Sequence, residues 1–453
     1  MIEKGRVMKK NDIVNINITG YTHEGLGVGR VDGFVLFVPQ AAAGDRLSCR
    51  VVKLLASHGY AKILEVLTPS PDRVGPACPV YERCGGCCYR HISYEAELLA
   101  KQQQVAAALR KGLGRNVPCA PCVPSPDILH YRNKALIPFG PSGYGFYRPR
   151  SHDIVASADC PIQSEAAGLA AGALWGHMQK FGIPAYDEDT HTGLVRGLFV
   201  RTARATGQVM AVIIVNGSEI PRQAELTAAL RAALPGLASL QLCVNRKPTN
   251  VPLDGRMKVV WGEPYIEDVL SGNRYRISPG SFYQINSAQC ERLYAAAGEL
   301  AGLTGKERVL DLYCGIGTIG LTLAYRALEV VGVEVVEEAV KDAREAAAAN
   351  GIQNARFIAA DAAAAARQLA DEGFSPDVVF LDPPRKGCDE ALLRTVAGMS
   401  PKKAVYVSCN PATLARDAAL FETLGYRLTG EALPFDMFPR TAHVEVVVLL
   451  QRN

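Results

Sequence analysis

The spacing of apolar residues changes twice along the chain, and each change predicts a different kind of structure. Near the start, Val14, Ile16 and Ile18 alternate with Asn15 and Asn17, the period of a strand with one buried face. Stretches 26–31 and 34–38 flank Asp32-Gly33, a two-residue hairpin signal, and further strands are expected over 45–55 and 60–66. Five short strands with Gly-rich turns predict a compact barrel of oligonucleotide-binding type over 5–70. Residues 71–275 mix periods. A helix is expected over 95–111, with Leu98, Leu99, Val105 and Leu109 as its apolar stripe, and strands over 134–137 and 208–215, giving an α+β middle domain. From 276 to 453 apolar strands (308–312, 329–334, 356–359, 377–381, 404–408) alternate with helical stretches (335–350, 361–372, 391–398). That alternation predicts a doubly wound, Rossmann-like α/β sheet. Two final strands, 426–433 and 443–450, have no helix between them, so an antiparallel hairpin should close the sheet.

Composition narrows the class. The chain has 453 residues, 48% hydrophobic and 21% charged, which fits several globular domains and not a disordered or membrane protein. No apolar run reaches bilayer length and MIEKGRVMKK lacks the apolar core of a signal peptide, so a cytoplasmic location without membrane contact is expected. Net charge is only +4, but Lys101 to Arg150 holds eight Lys/Arg against Asp127 alone. A local excess of this kind attracts phosphates, although a solvated basic face would look the same. Within it lie Tyr131, Arg132, Asn133 and Lys134, then Tyr144, Phe146, Tyr147, Arg148 and Arg150. Aromatics interleaved with arginines suit stacking on unpaired bases; any single one of them is as well explained by the core.

The chemistry gathers at the ends of the C-terminal strands, where ligands sit in open α/β sheets. After the first strand, Gly315-Ile316-Gly317-Thr318-Ile319-Gly320 is a G-x-G-x-x-G loop, which by itself also suits a nicotinamide cofactor. Glu334 ends the second strand, where a carboxylate can accept ribose hydroxyls, and Asp361 follows the third, in reach of an adenine. The fourth ends in Asp382-Pro383-Pro384-Arg385. Cys409 follows the fifth directly, an odd place for filler. A thiolate there can add to C6 of a uracil and make C5 nucleophilic, and a base must then take the C5 proton. Glu445, at the start of the last strand, is the candidate base, and His443 a weaker one. The target uridine must leave its stack to meet Cys409, and Phe282 is placed to brace it.

Ser408-Cys409-Asn410-Pro411, Asp382-Pro383-Pro384-Arg385, Asp311-Leu312-Tyr313-Cys314-Gly315 and Phe282-Tyr283-Gln284-Ile285-Asn286 together resemble the motifs of the RNA uracil-5-methyltransferase family. The resemblance implies Cys409 as nucleophile and Glu445 as base, with Gln284, Tyr313, Glu334 and Asp382 contacting S-adenosylmethionine. The β module is similar to the TRAM domain of the ribosomal members, which favours 23S ribosomal RNA over the tRNA T-loop as substrate; a monomer is expected. A non-catalytic RNA-binding assembly factor is the rival from another class. Cys78, Cys84 and Cys87 have a metal-ligand spacing, and Cys160 is similar to the family's fourth ligand to a 4Fe–4S cluster. Zinc on Cys84, Cys87, Cys119 and Cys122 is the alternative, with Cys88 a bystander.

Overall fold

The computed structural model describes residues 8–249 and 251–453, so residues 5–7 of the expected barrel lie outside the described residues. Strands β1 (Ile13–Tyr21), β2 (Gly27–Val31), β3 (Phe34–Val38), β4 (Arg46–Leu54) and β5 (His58–Thr68) form a closed barrel in the order β1-β2-β3-β5-β4. Val14, Ile16 and Ile18 fill its interior, while Asn15 and Asn17 face out. Asp32 (φ 49°) and Gly33 (φ 83°) are both left-handed, as the tightest hairpin turn requires.

Helix α1 (Tyr94–Leu113) starts at Ser93, whose hydroxyl accepts from Ala96 N–H, and stops at left-handed Gly114. Its buried stripe runs through Val105 and Leu109; Leu99 is 52% exposed and does not belong to it. Neighbours in a helix point about 100° apart, and here Leu98 packs half-buried on the core while Leu99 falls beyond the edge of the buried face. The middle sheet follows: β6 (Lys134–Gly140), β7 (Gly143–Tyr147), β8 (Ile154–Ala156), then helix α2 (Glu165–Phe181), β9 (Val195–Thr202), β10 (Val209–Val215), helix α3 (Gln223–Ala233), β11 (Leu237–Val244) and β12 (Arg256–Gly262). Its order is β12-β11-β10-β9-β6-β7-β8. Both faces are covered, with Ala211, Ile213 and Val215 under α2 and α3, and Met210, Val212 and Ile214 in a second core. That is why β10 reads as an unbroken apolar run.

A hairpin, β13 (Ile266–Leu270) and β14 (Asn273–Ile277), and helix α4 (Ser287–Ala301) lead into the last sheet. There β15 (Arg308–Leu312), α5 (Thr318–Leu323), β16 (Glu329–Glu334), α6 (Glu337–Ala349), β17 (Ala355–Ala359), α7 (Ala362–Asp371), β18 (Val378–Leu381), α8 (Glu390–Gly398), β19 (Lys403–Ser408) and α9 (Pro411–Thr423) alternate. Strands β20 (Tyr426–Phe435) and β21 (Glu445–Arg452) close it in the order β17-β16-β15-β18-β19-β21-β20. The first five strands are parallel, and β21 is antiparallel to both neighbours. A dinucleotide fold continues with a parallel sixth strand, so the inserted hairpin sets this sheet apart. Helix α1 packs on this sheet, where Val105 and Leu109 share a core with Leu414 and Leu428.

Candidate active site

The register of β19 on β21 makes the central pairing. Ser408 lies opposite Val446, so the next step brings Cys409 beside Glu445, where β21 begins. Asn410 then caps α9, accepting from Ala412 N–H at 3.1 Å, and Pro411 occupies the first turn, where no N–H is needed. The Asn410 amide also donates to the Arg385 carbonyl at 3.0 Å, tying the loop after β18 to this helix start. Arg385 Nη2 in turn lies 3.3 Å from His443 Nε2. Cys409, Arg385 and His443 thus open on one cleft of about 1040 Å³, which Tyr21 of the barrel and Arg132 and Arg150 of the middle region also line.

Charges in this corner are crowded. Burial, and then Asp382, push the Glu445 carboxyl well above the usual carboxylate range, against the pull of Arg385. Burial alone raises Asp382 to about 7. The Cys409 thiol is pushed up to about 11 by burial and by Glu445 and Asp382, with Arg385 opposing. At neutral pH the resting residue is therefore a thiol. His443 is held down at about 4 by burial, then by Arg385, so its imidazole is neutral.

A second group of polar residues lies beyond the ends of β15 and β16. Gly315 N–H donates to Glu334 Oε2 at 3.1 Å, and Val336 N–H to Oε1 at 3.0 Å, which fixes that carboxylate across the loop. Gly315 is left-handed (φ 56°) and a side chain on it would project into open space. Gly317 differs, since its added Cβ would press within 2.9 Å of the Phe357 ring. Asp311 is fully buried; Oδ2 accepts from Gly320 N–H at 2.9 Å while Oδ1 has no partner. Burial, then Asp382 and Glu334, raise it to about 8. An open glycine loop beside a fixed carboxylate can take a nucleoside, with Glu334 in place to accept from its ribose hydroxyls.

Gln284 is buried just before α4, and its carbonyl accepts from the Asn133 amide at 2.8 Å. Tyr313 (φ 66°) is half-buried, and burial followed by Cys388 raises its phenol. Phe282 is 63% exposed, free to meet a ligand. Asp361 caps α7, its Oδ1 accepting from Ala363 and Ala364 N–H at 3.0 and 3.1 Å, which leaves Oδ2 for another partner. Val335, 68% exposed directly after Glu334, was not singled out in the sequence; its one signal there is an apolar residue beyond a strand end. Asp311 likewise stood only as part of a motif.

Comparison with known proteins adds the decisive observation. A family model described as tRNA (Uracil-5-)-methyltransferase matches residues 239–453, and a TRAM domain model matches 8–64. An uncharacterized RNA methyltransferase of Halalkalibacterium halodurans is 43% identical over 98% of both chains, and one of Listeria innocua is 40% identical over 98% of both. This chain belongs to the RNA uracil-5-methyltransferase family. It is an S-adenosylmethionine-dependent enzyme with a TRAM barrel. The solved tRNA (uracil-54, C5)-methyltransferase of Pyrococcus abyssi, in complex with S-adenosyl-L-homocysteine, shares 29% identity and a TM-score of 0.79 over 96% of this chain and 100% of that one.

Elsewhere the methyltransferase departs from what its sequence suggests. Tyr131 is buried, with its hydroxyl on the Pro439 carbonyl at 3.0 Å, so it is core and not a stacking platform. Asn133 is buried under Gln284 and Ser287. Tyr144 packs on Phe139 and Trp175, with Phe146 half-buried beside them. Tyr147, Arg148 and Arg150 stay exposed, and Arg150 covers the Tyr60 ring of the barrel at 5.8 Å. Lys101, counted in the basic window, is completely buried.

The cysteines separate into two places. Cys78, Cys84, Cys87 and Cys160 line one cavity of about 510 Å³, together with Arg90. Cys122 is buried in the core beneath α1, and Cys119 points its thiol to the Gln102 carbonyl at 3.7 Å, so the zinc set with Cys84 and Cys87 is not assembled. Among the described residues, no three His, Cys, Asp or Glu side chains form a group that could hold one metal ion. No helix among them is long and apolar enough to cross a membrane.

Proposed function

We propose that this methyltransferase methylates C5 of a uridine in 23S ribosomal RNA through a transient bond between Cys409 and C6. The observation that carries the reading is the β19–β21 register, which sets the buried Glu445 carboxyl beside Cys409, itself on the wall of the cleft. Cys409 would add to C6 as its thiolate, the thiol proton passing to water in the cleft that Cys409 lines. Arg385 opposes the rise in the thiol's pKa and so favours the thiolate that burial disfavours. Bound S-adenosylmethionine supplies the electrophilic methyl group. Gln284, Tyr313, Glu334 and Asp382 are assigned to its binding, with the exposed Val335 as an apolar face for its flat base. Glu445 would then take the C5 proton, since burial raises its carboxyl and so makes the carboxylate a stronger base.

The four thiols around one cavity suit an iron–sulfur cluster. Thiolate sulfur is the usual ligand of such a cluster, and all four thiols here line one cavity. Arg90, buried with Nε and Nη2 unpartnered at that cavity, offers charge to an anionic thiolate-bound group. Cys78, Cys84, Cys87 and Cys160 would hold the cluster, which would cross-link the chain and take no part in methyl transfer.

The tRNA T-loop is the second reading, favoured by the likeness to the Pyrococcus abyssi tRNA enzyme, which spans the barrel as well. Incubating the protein with 5-fluorouridine-containing 23S and tRNA transcripts tests both. A denaturation-stable protein–RNA adduct is expected with the ribosomal transcript, and Cys409→Ala should abolish it and lower turnover more than ~10⁴-fold. An adduct with tRNA alone would replace the substrate. No adduct with either, from protein that still methylates, would sink the covalent route.

A further inference from the structure

Lys101 is fully buried on α1, and its three donors are all used: Glu97 at 2.7 Å, Asp436 at 2.6 Å and the Phe438 carbonyl at 3.2 Å. Asp436 and Phe438 belong to the loop 436–444 that joins β20 to β21 and delivers both His443 and Glu445. The same loop is held at other points by the middle region. Arg440 N–H donates to Glu97 at 2.7 Å, and the Arg440 carbonyl accepts from Cys88 and Tyr89 N–H at 2.9 and 3.2 Å. Tyr94 donates to Asp436 at 2.7 Å and itself receives Ser125 N–H at 2.8 Å. Arg440 is left-handed (φ 71°), a strained conformation that its neighbours must impose.

Stability does not explain this arrangement. Buried ion clusters are often no more stable than apolar side chains of the same volume, because desolvation offsets the attraction. What a buried lysine with every donor satisfied does supply is one geometry, and the loop it fixes is the one that carries the proposed base. We propose that Lys101 is a positioning residue for methyl transfer, holding loop 436–444 through Asp436 and Glu97 so that Glu445 stays beside Cys409. The inference rests on the roles given above to Cys409 and Glu445. The step it serves is the last. The Glu445 carboxylate takes the C5 proton, the C–H electron pair becomes the C5–C6 double bond, and the C6–S pair returns to Cys409 as thiolate.

Lys101→Met and the milder Tyr94→Phe, each in the full-length protein, test this with ordinary uridine RNA and S-adenosylmethionine. A misplaced base slows elimination after the methyl group has moved, so methylated RNA should stay bonded to the protein and appear as a shifted band on a denaturing gel. Turnover of Lys101→Met should fall about 100-fold, the order expected for a displacement near 1 Å, with affinity for S-adenosylmethionine unchanged. Tyr94→Phe should show the same trapped species with a smaller loss. A merely destabilised protein would lose adduct and turnover together, and that result, or wild-type turnover in both variants, would overturn the proposal. If Lys101→Met no longer binds the cofactor, Tyr94→Phe decides on the same readouts. A wild-type protein that forms no 5-fluorouridine adduct would instead remove the roles of Cys409 and Glu445 themselves.

Discussion

At the scale of residues, two carboxyls near the ends of β15 and β18 titrate far above the usual carboxylate range. Asp382 sits near 7 and Asp311 near 8, both raised first by burial. Below those values the groups are neutral, and above them they are charged. S-adenosylmethionine carries a sulfonium cation that S-adenosylhomocysteine lacks, and a cation binds best to the ionised carboxylates. Affinity for the methyl donor should therefore climb between pH 6 and 9, by up to about tenfold per pH unit while a carboxyl must give up its proton. Affinity for the demethylated product should change much less. Calorimetry of both ligands across that range is the check, and parallel curves would show that these carboxyls do not meet the sulfonium.

At the scale of elements, α9 begins with a side chain that does two jobs. Asn410 accepts from Ala412 N–H as a cap and donates to the Arg385 carbonyl. Replacing it with alanine removes both and should cost about 1 kcal/mol of stability through the cap. Asn410→Asp keeps an acceptor but loses the donor. Thermal melts should find the aspartate variant close to wild type, while 5-fluorouridine adduct formation is slow in both. If the aspartate variant reacts at the wild-type rate, the tie to Arg385 has no bearing on Cys409.

At the scale of the whole molecule, the barrel is docked against the segment around Cys88 and Tyr89 and against Ala442 of the β20–β21 loop. Tyr21 meets Tyr89 edge-on at 5.3 Å, and a side chain on Gly25 would collide with Cys88 and Ala442. Asp45, buried in the barrel, is gripped by Arg73, whose Nε lies 3.1 Å away, and by Ser70 N–H at 2.9 Å. Burial would raise this carboxyl, but Arg73 and the Ser70 and Ala42 amides hold it below the usual range. Its contribution is thus complete above ordinary carboxylate values and fades as pH falls through the lowered one. Arg73→Met would strand that charge at a cost of about 3 kcal/mol. The expected outcome is faster proteolysis near residues 68–75 at neutral pH, with cofactor affinity intact. Equal protease resistance would mean that other contacts suffice to hold the barrel.

Local pattern alone determined a good deal. Strict alternation and Asp32-Gly33 specify the barrel strands, and the parallel strands that end at Leu312, Glu334 and Leu381 lie where their apolar runs stop. Those features depend on side-chain period and turn chemistry, which neighbours in sequence settle. The positions of Cys409 and Arg385 at strand ends were legible for the same reason. Tertiary structure decided the rest. Only the antiparallel register places Glu445 beside Cys409, since the thirty-five residues between them say nothing about pairing. Only packing shows that Tyr131 and Lys101, members of a basic and aromatic window, are interior. Burial is a property of what folds over a residue from elsewhere in the chain, and a charge becomes structural when distant carboxylates close around it.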